Sequence, residues 1–322
     1  MVRLKPLAVK SFAKLNLYLR ILGKRQDNFH NLSTLFVRID LADKIILKCR
    51  QDNLVSITTN NHQVPADSTN LCYRAAALLK QQLKLKQGIE IELNKRIPVG
   101  AGLGGGSANA ASVLLGLNKF WKLNLSRQKL VRLAASLGSD VPFFIHQAKF
   151  GLGAGRGDKI QALRGLNQVN LWFVLVYPNF KVSTPLIYRK YDAYLAKNKR
   201  FSRLTPHLGV IKNVKNLKIK QGAGLTTSGQ NVKILTSELL KKGPGFDPNL
   251  LFNSLEPVTE ALYPQVTQVK KALSGMGLDK VMMSGSGPAV FAVCDSRLAA
   301  QKIKNKLSRQ FKAWKILTVS TV

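Results

Sequence analysis

The stretch PVGAGLGGGSANAASVLLG, residues 98 to 116, packs five glycines into the seven positions from Gly100 to Gly106 and then continues as a helical pattern. Glycine loses more backbone freedom on folding than any other residue. A chain concentrates it where the backbone must take positive φ or come very close to another group. Ahead of the loop, GIEIEL alternates apolar and polar residues with the period of a half-buried strand. Behind it, Ala110, Ala111, Val113, Leu114 and Leu117 form a helical stripe that ends near Trp121. Strand, glycine-rich loop and helix in succession is an arrangement that binds phosphate. The first N–H groups of a helix are unpaired and together carry about half a positive charge, and glycine lets them touch a polyphosphate. Ser107, at the expected helix start, adds a hydroxyl for a phosphate oxygen or a magnesium ion.

Three phosphate-loop patterns compete for these residues. The Walker pattern requires a lysine after its last glycine, and Gly106 occupies that position. Gly100, Gly102 and Gly105 satisfy G-x-G-x-x-G, but a dinucleotide site also needs an acidic residue about twenty positions further on. WKLNLSRQK offers none, and the next acid is Asp140, beyond a second helix. The HRD and DFG signatures of protein kinases are absent.

At 322 residues the chain is expected to form two packed domains. Its longest apolar run, LWFVLVYP from Leu171, suits a buried strand rather than a membrane span, and no membrane partner is expected. Cys49, Cys72 and Cys294 are too few and too scattered for a disulfide framework or a metal site, which points to a reducing, cytoplasmic setting. Fifty Lys and Arg against sixteen Asp and Glu leave a net charge of +34, which attracts anions: phosphorylated metabolites, nucleic acid or an acidic membrane surface. The segment from Ala193 to Ser237 has no acidic residue and reads as a basic surface excursion.

Along the chain, Ala13, Leu15, Leu17, Leu19 and Ile21 alternate with Lys14, Asn16, Tyr18 and Arg20, predicting a strand with Lys14 and Asn16 on one face. KIILKCR and LVSITTN, separated by QDN, predict a hairpin. Asp67 or Ser68 is expected to cap a helix carrying Leu71, Ala75, Leu78 and Leu79. Ser126 caps another, closed by Gly138. A helix is expected around Thr259 to Ser274, then strand, Gly-Ser-Gly turn and strand in KVMMSGSGPAVFAVC, then a helix from Leu298 to Phe311.

Four blocks carry a resemblance: PVGAGLGGGSANAA, AKLNLYLRILGKRQDNFHNLSTLF from Ala13, LGSDVPFFI from Leu137 and MSGSGPAVFAV from Met283. Together with TNLCYRAAALL and LLFNSLEP, they are similar in order and spacing to the GHMP kinases, the superfamily of galactose, homoserine, mevalonate and phosphomevalonate kinases. The similarity is strongest to the branch acting on a cytidine-diphosphate-linked methylerythritol. It implies ATP-dependent phosphorylation of that substrate's 2-hydroxyl in the non-mevalonate route to isoprenoids, with Mg2+ as cofactor. It also implies a two-domain α+β architecture: a ribosomal-protein-like catalytic domain over residues 1–166 and a ferredoxin-like domain over 167–322.

By the same resemblance Asp140 is the base and Lys14 its charged partner. A sugar-alcohol hydroxyl is a poor nucleophile, which a proton-accepting carboxylate helps, and a nearby cation offsets charge on the oxygens. Pro98, Gly100, Ala101, Gly102, Leu103, Gly104, Gly105, Gly106, Ser107 and Ala108 would hold ATP phosphates, with Asn70 near the adenine. Phe29 and Tyr188 would stack on cytosine, His30 would read its edge, and Asn16 would lie near the transferred group. Three positions depart from the family's usual residues: Asn28-Phe29-His30 for Gly-Tyr-His, Ala108 for a second serine, and Asn253-Ser254 for Asn-Asp. A homoserine- or mevalonate-type kinase is the nearest alternative, but those substrates have no base to stack. A nucleic-acid-binding protein on the same fold would use the basic charge and leave Lys14, Asp140 and the loop unexplained. A monomer or a homodimer fits equally.

Overall fold

The structure is a computed structural model that describes residues 5–197 and 228–322. The middle of the acid-free segment, 198–227, lies outside the described residues, and with it the expected surface excursion.

Two long strands build the first sheet. β1 (Leu7–Lys24) and β2 (His30–Arg50) pair antiparallel around the turn at residues 25–29, where Asn28 takes φ 62° and Arg25 N–H donates to Phe29 O. The strict alternation expected from Ala13 to Ile21 breaks, because the register shifts between Phe12 and Lys14, Asn16 and Tyr18, and Ile21 and Gly23. An extra residue in one strand turns the side chains beyond it to the other face. Tyr18 therefore joins Leu15 and Leu17 in one core, while Leu19 and Ile21 reach another.

The expected hairpin after β2 does not form. β3 (Val55–Thr59) is carried away by helix α1 (Leu71–Leu83), and β4 (Gly88–Asn94) inserts between the two, parallel to β3 and antiparallel to β2. A turn signal such as QDN says that the chain reverses, not which strand it meets. The cap of α1 also differs from expectation: Asn70 accepts from Cys72 N–H, while Asp67 closes a tight turn onto Thr69. Helices α2 (Gly105–Phe120), α3 (Arg127–Leu137) and α4 (Val141–His146) complete the layer on this sheet, and Ser126 caps α3 as expected. Apolar side chains of all four helices bury against Ile45, Leu47, Ile89 and Ile91. Full burial of such a side chain contributes about 1.5–3 kcal/mol. The glycine-rich stretch GLGAGRGD, 151–158, forms β5 (Phe150–Ala154) and the turn into β6 (Lys159–Ala162), with β5 paired to β2.

The second sheet begins at β7 (Trp172–Tyr177), followed by α5 (Thr184–Lys197), α6 (Ser228–Lys242), β8 (Phe252–Asn253), α7 (Glu256–Leu262) and α8 (Pro264–Ser274). The chain ends with β9 (Val281–Met283), β10 (Val290–Cys294), α9 (Arg297–Gln310) and β11 (Lys315–Ser320). The antiparallel order β11-β7-β10-β9 is that of a split β-α-β-β-α-β unit, the ferredoxin-like arrangement. The single helix expected from Thr259 to Ser274 is two, α7 and α8, because Pro264 cannot continue the hydrogen-bond ladder.

β7 explains how the layers join. Its unbroken apolar run is buried on both faces. Phe173, Leu175 and Tyr177 share a core with Leu15 and Leu17 of the first sheet and with Val232, Leu235 and Leu239 of α6. Val174 and Val176 pack instead with Val258, Val266, Val269 and Leu307 of the second helical layer. β8 leaves the second half of the chain altogether and pairs parallel with β1 at Tyr18 and Leu19.

Candidate active site

A cavity of about 970 Å³ is lined by β1, β2, the glycine loop, the start of α4, the start of α5 and the β9–β10 turn. Two backbone features form its floor. The first is the N-terminus of α2, whose N-cap is Gly104 at φ 67°. No side chain caps this helix and no acid lies in its first turn. The earliest helical bond on this stretch is Ala108 N–H to Gly104 O, and the Ser107 hydroxyl has no partner among the described residues. Unpaired N–H groups at a helix start are ready for an anion.

The second feature is the Ser284-Gly285-Ser286 turn, which the glycine loop touches directly. Gly102 sits at φ 76°, and a Cβ there would lie 2.1 Å from Ser284 O. So the close approach that glycine permits is made first to the protein itself. Ser284 Oγ donates to Gly102 O at 3.1 Å, Ala289 N–H donates to Ala101 O, and Val182 N–H donates to Gly100 O. Asn253 holds the turn from behind, its Nδ2 donating to Met283 O at 2.9 Å and Gly285 O at 2.8 Å.

Above this floor stand Lys14 and Asp140. Lys14 is 4 % exposed and its Nζ lies 3.4 Å from Asp140 Oδ2, a carboxylate one-third exposed to the cavity. The ammonium also donates to Asn16 Oδ1 at 2.5 Å. Asn16 Nδ2 donates to Thr34 Oγ1 at 2.8 Å, and that hydroxyl donates to Tyr18 O at 2.7 Å. Lys14 N–H donates to Leu103 O, tying β1 to the glycine loop. Asp140 occupies the N-cap position of α4 but makes no side-chain capping bond, so its carboxylate is not consumed by the helix.

One end of the cavity is aromatic. Phe29 is 48 % exposed, with the Arg156 guanidinium carbon 4.8 Å from its ring centroid. The His30 ring lies 5.0 Å from the Tyr188 ring, tilted by 33°, and its Nε2 is 2.7 Å from Asp192 Oδ1. Asp192 also pairs with Lys24 Nζ at 2.9 Å. Partial burial works against ionisation of Asp192, but Lys24 and His30 outweigh it and hold the carboxyl below its ordinary value. Burial, and then the Asp140 charge, push the Tyr188 hydroxyl well above its usual range, so it stays protonated.

Of the residues singled out from sequence, Lys14, Asn16, Phe29, His30, Asn70, Pro98, Gly100 to Ser107, Asp140 and Tyr188 all line this one cavity. Ala108 does not: its methyl is buried at 1 % exposure in the helix–sheet core, because position 108 turns inward one step after Ser107. Asn70 reaches the cavity wall, yet both ends of its amide are engaged, Oδ1 by Cys72 N–H and Nδ2 by Pro65 O. Sequence reasoning missed Ser286, Thr184, Lys24, Lys95, Arg156, Arg189 and Asp192, which line the same space. Only the GSG turn carried a signal; the others are single polar residues on helices, strands and the connections between them. Among the described residues no cluster of three or more His, Cys, Asp or Glu could hold a metal ion, and no helix is long and apolar enough to cross a membrane.

Comparison with known proteins covers both halves of the chain. Residues 70–148 match the GHMP kinase N-terminal domain and residues 238–313 the GHMP kinase C-terminal domain. A 4-diphosphocytidyl-2-C-methyl-D-erythritol kinase of Gloeothece citriformis is 38 % identical over 307 residues, covering 91 % of this chain and 88 % of that protein. The corresponding kinase of Bacillus cytotoxicus is 37 % identical over 294 residues, covering 91 % and 90 %. A crystal structure of a 4-(cytidine 5'-diphospho)-2C-methyl-D-erythritol kinase superposes with a TM-score of 0.72 at 28 % identity, covering 98 % of this chain and all of that one.

Proposed function

The chain belongs to the 4-diphosphocytidyl-2-C-methyl-D-erythritol kinases of the GHMP superfamily, and we propose that the cavity above the α2 N-terminus is where it performs that reaction. The reaction is transfer of the γ-phosphoryl group of ATP to the 2-hydroxyl of the cytidyl substrate, a step of the non-mevalonate route to isoprenoids. The observation that carries the siting is the meeting of Lys14 and Asp140 at 3.4 Å beside an uncapped, glycine-flanked helix start.

Each part of the transfer has a residue suited to it. The open N–H groups from Gly105 to Ser107 receive the ATP phosphates. The Asp140 carboxylate accepts the proton of the attacking 2-hydroxyl as its oxygen bonds to the γ-phosphorus and the bond to the departing ADP oxygen breaks. Lys14, fixed by Asn16 and the Asp140 carboxylate, offsets the negative charge that builds on the oxygens. Phe29, Tyr188 and His30 form the cytosine end, with Phe29 supplying a stacking face but no phenol hydroxyl.

Magnesium fits as an ion carried in by the nucleotide rather than by a protein cage, consistent with the lack of an acidic cluster among the described residues. The Ser107 hydroxyl and the Asp140 carboxylate are the oxygens that would hold it, and when bound it neutralises phosphate charge. We divide the chain at Leu166, between β6 of the first sheet and β7 of the second.

The test is ADP release with ATP and magnesium, comparing the cytidyl substrate with mevalonate and homoserine. Turnover confined to the cytidyl compound is the expected result. Preference for another alcohol would keep the phosphate floor and discard the aromatic end as a cytosine site.

A further inference from the structure

Asp192 has no part in the sequence expectations, yet from α5 it reaches both strands of the first hairpin at the aromatic end. Its Oδ1 lies 2.7 Å from His30 Nε2 and its Oδ2 lies 2.9 Å from Lys24 Nζ. His30 is 6 % exposed, its ring lines the cavity, and its second nitrogen, Nδ1, has no partner among the described residues. An ionised carboxylate can only accept hydrogen bonds, so the nitrogen facing it carries the proton. In a neutral imidazole the other nitrogen is then an acceptor.

We propose that Asp192 is a positioning residue that sets base selectivity: it fixes His30 as the tautomer protonated on Nε2, leaving Nδ1 as the acceptor that the ring offers to the cavity. An acceptor there pairs with the exocyclic amine of an aminopyrimidine and meets a lone pair on a pyrimidine that carries a carbonyl instead. The site thereby favours a cytidine diphosphate over a uridine diphosphate bearing the same alcohol. Lys24 keeps the carboxylate charged and anchored to β1, so the selection depends on a contact between the two halves of the chain. This rests on the proposed cytosine site at Phe29, His30 and Tyr188.

Two measurements separate failure of the inference from failure of that site. The first needs no substrate: 15N spectra of histidine-labelled protein report the His30 tautomer, with His30→Gln used to assign the signal. Protonation on Nε2 in the intact protein, lost in Asp192→Ala, is expected. Protonation on Nδ1 in the intact protein overturns the inference, whatever the enzyme turns over.

The second compares cytidyl and uridyl forms of the substrate. Asp192→Ala is expected to raise KM for the cytidyl form roughly tenfold, as for loss of one oriented hydrogen bond. The kcat and the KM for ATP should stay within about twofold, and the cytidyl preference should fall toward unity. Asp192→Asn keeps an acceptor oxygen on the same frame and should recover part of the preference. A purely structural role for Asp192 would affect both pyrimidines alike, and that outcome overturns the inference.

Discussion

Lys14 and Asp140 show what single residues contribute and where their limits lie. A buried ammonium needs compensation, and Lys14 has it from Asn16 Oδ1 and the Asp140 carboxylate. The proton-accepting role proposed for Asp140 predicts that Asp140→Asn, which keeps the shape and loses the charge, folds and binds ATP but turns over about 10²–10⁴-fold more slowly. Single-turnover kinetics with a parallel nucleotide-binding titration would check it, and turnover at the normal rate would remove Asp140 from the mechanism. Asp192 provides a pH test. Its carboxyl is held below the ordinary aspartate value of 3.8, so its stabilising contacts are complete above that value and are lost as pH falls through it toward the folded value. The denaturation midpoints of the protein and Asp192→Asn should therefore differ at neutral pH and converge in strong acid, as equilibrium unfolding would show. At this scale sequence was a good guide to which residues line the cavity, because Lys14, Asp140, Phe29 and His30 sit in recognisable blocks. Asp192 was in none of them, and Lys24 carried no signal of its own, so their pairing with His30 was invisible.

At the scale of elements, the glycine loop is a contact surface as well as the proposed phosphate floor. Gly102 lies against the Ser284-Gly285-Ser286 turn so closely that a single methyl would overlap Ser284 O. Gly102→Ala is therefore expected to push the loop and turn apart, destabilising the protein by about 1–3 kcal/mol and weakening ATP binding more than cytidyl-substrate binding. Urea denaturation and separate KM values for the two substrates would decide; an unchanged KM for ATP would mean that the loop keeps its shape without the turn. The elements themselves were mostly legible. Period-2 alternation located β1 and β4, the strand–turn–strand pattern located β9 and β10, helical stripes located α1 and α2, and the end signals Ser126 and Gly138 located α3. What misled was long-range choice: β4 rather than β3 became the neighbour of β2, and one bulge between Asn16 and Tyr18 sent two halves of a single strand to different cores. Neither leaves a local mark.

For the molecule as a whole, one core serves both sheets, with Phe173 and Phe291 meeting edge to face at 5.7 Å inside it. Phe291→Ala should cost about 3–5 kcal/mol while unfolding stays a single transition, because neither sheet keeps its buried face without the other. Two separated transitions in calorimetry would contradict that coupling. The net charge of +34 acts at this scale too. Raising salt from roughly 0.01 M to 1 M shortens the screening length from about 30 Å to about 3 Å, so kcat/KM for the anionic substrates should fall several-fold through KM. A flat salt profile would show that the charge plays no part in capture. By itself the sequence determined the α+β class, the strand–glycine loop–helix succession and the family, because glycine geometry, strand period and block spacing are local properties written in consecutive residues. Only the tertiary structure decided that Lys14 meets Asp140, that Asn253 and the GSG turn brace the loop, and that Asp192 reaches His30. Those contacts join residues far apart in the chain: helices packed on the first sheet bring Asp140 to Lys14, and the packing of both sheets on one core brings the others within hydrogen-bonding reach.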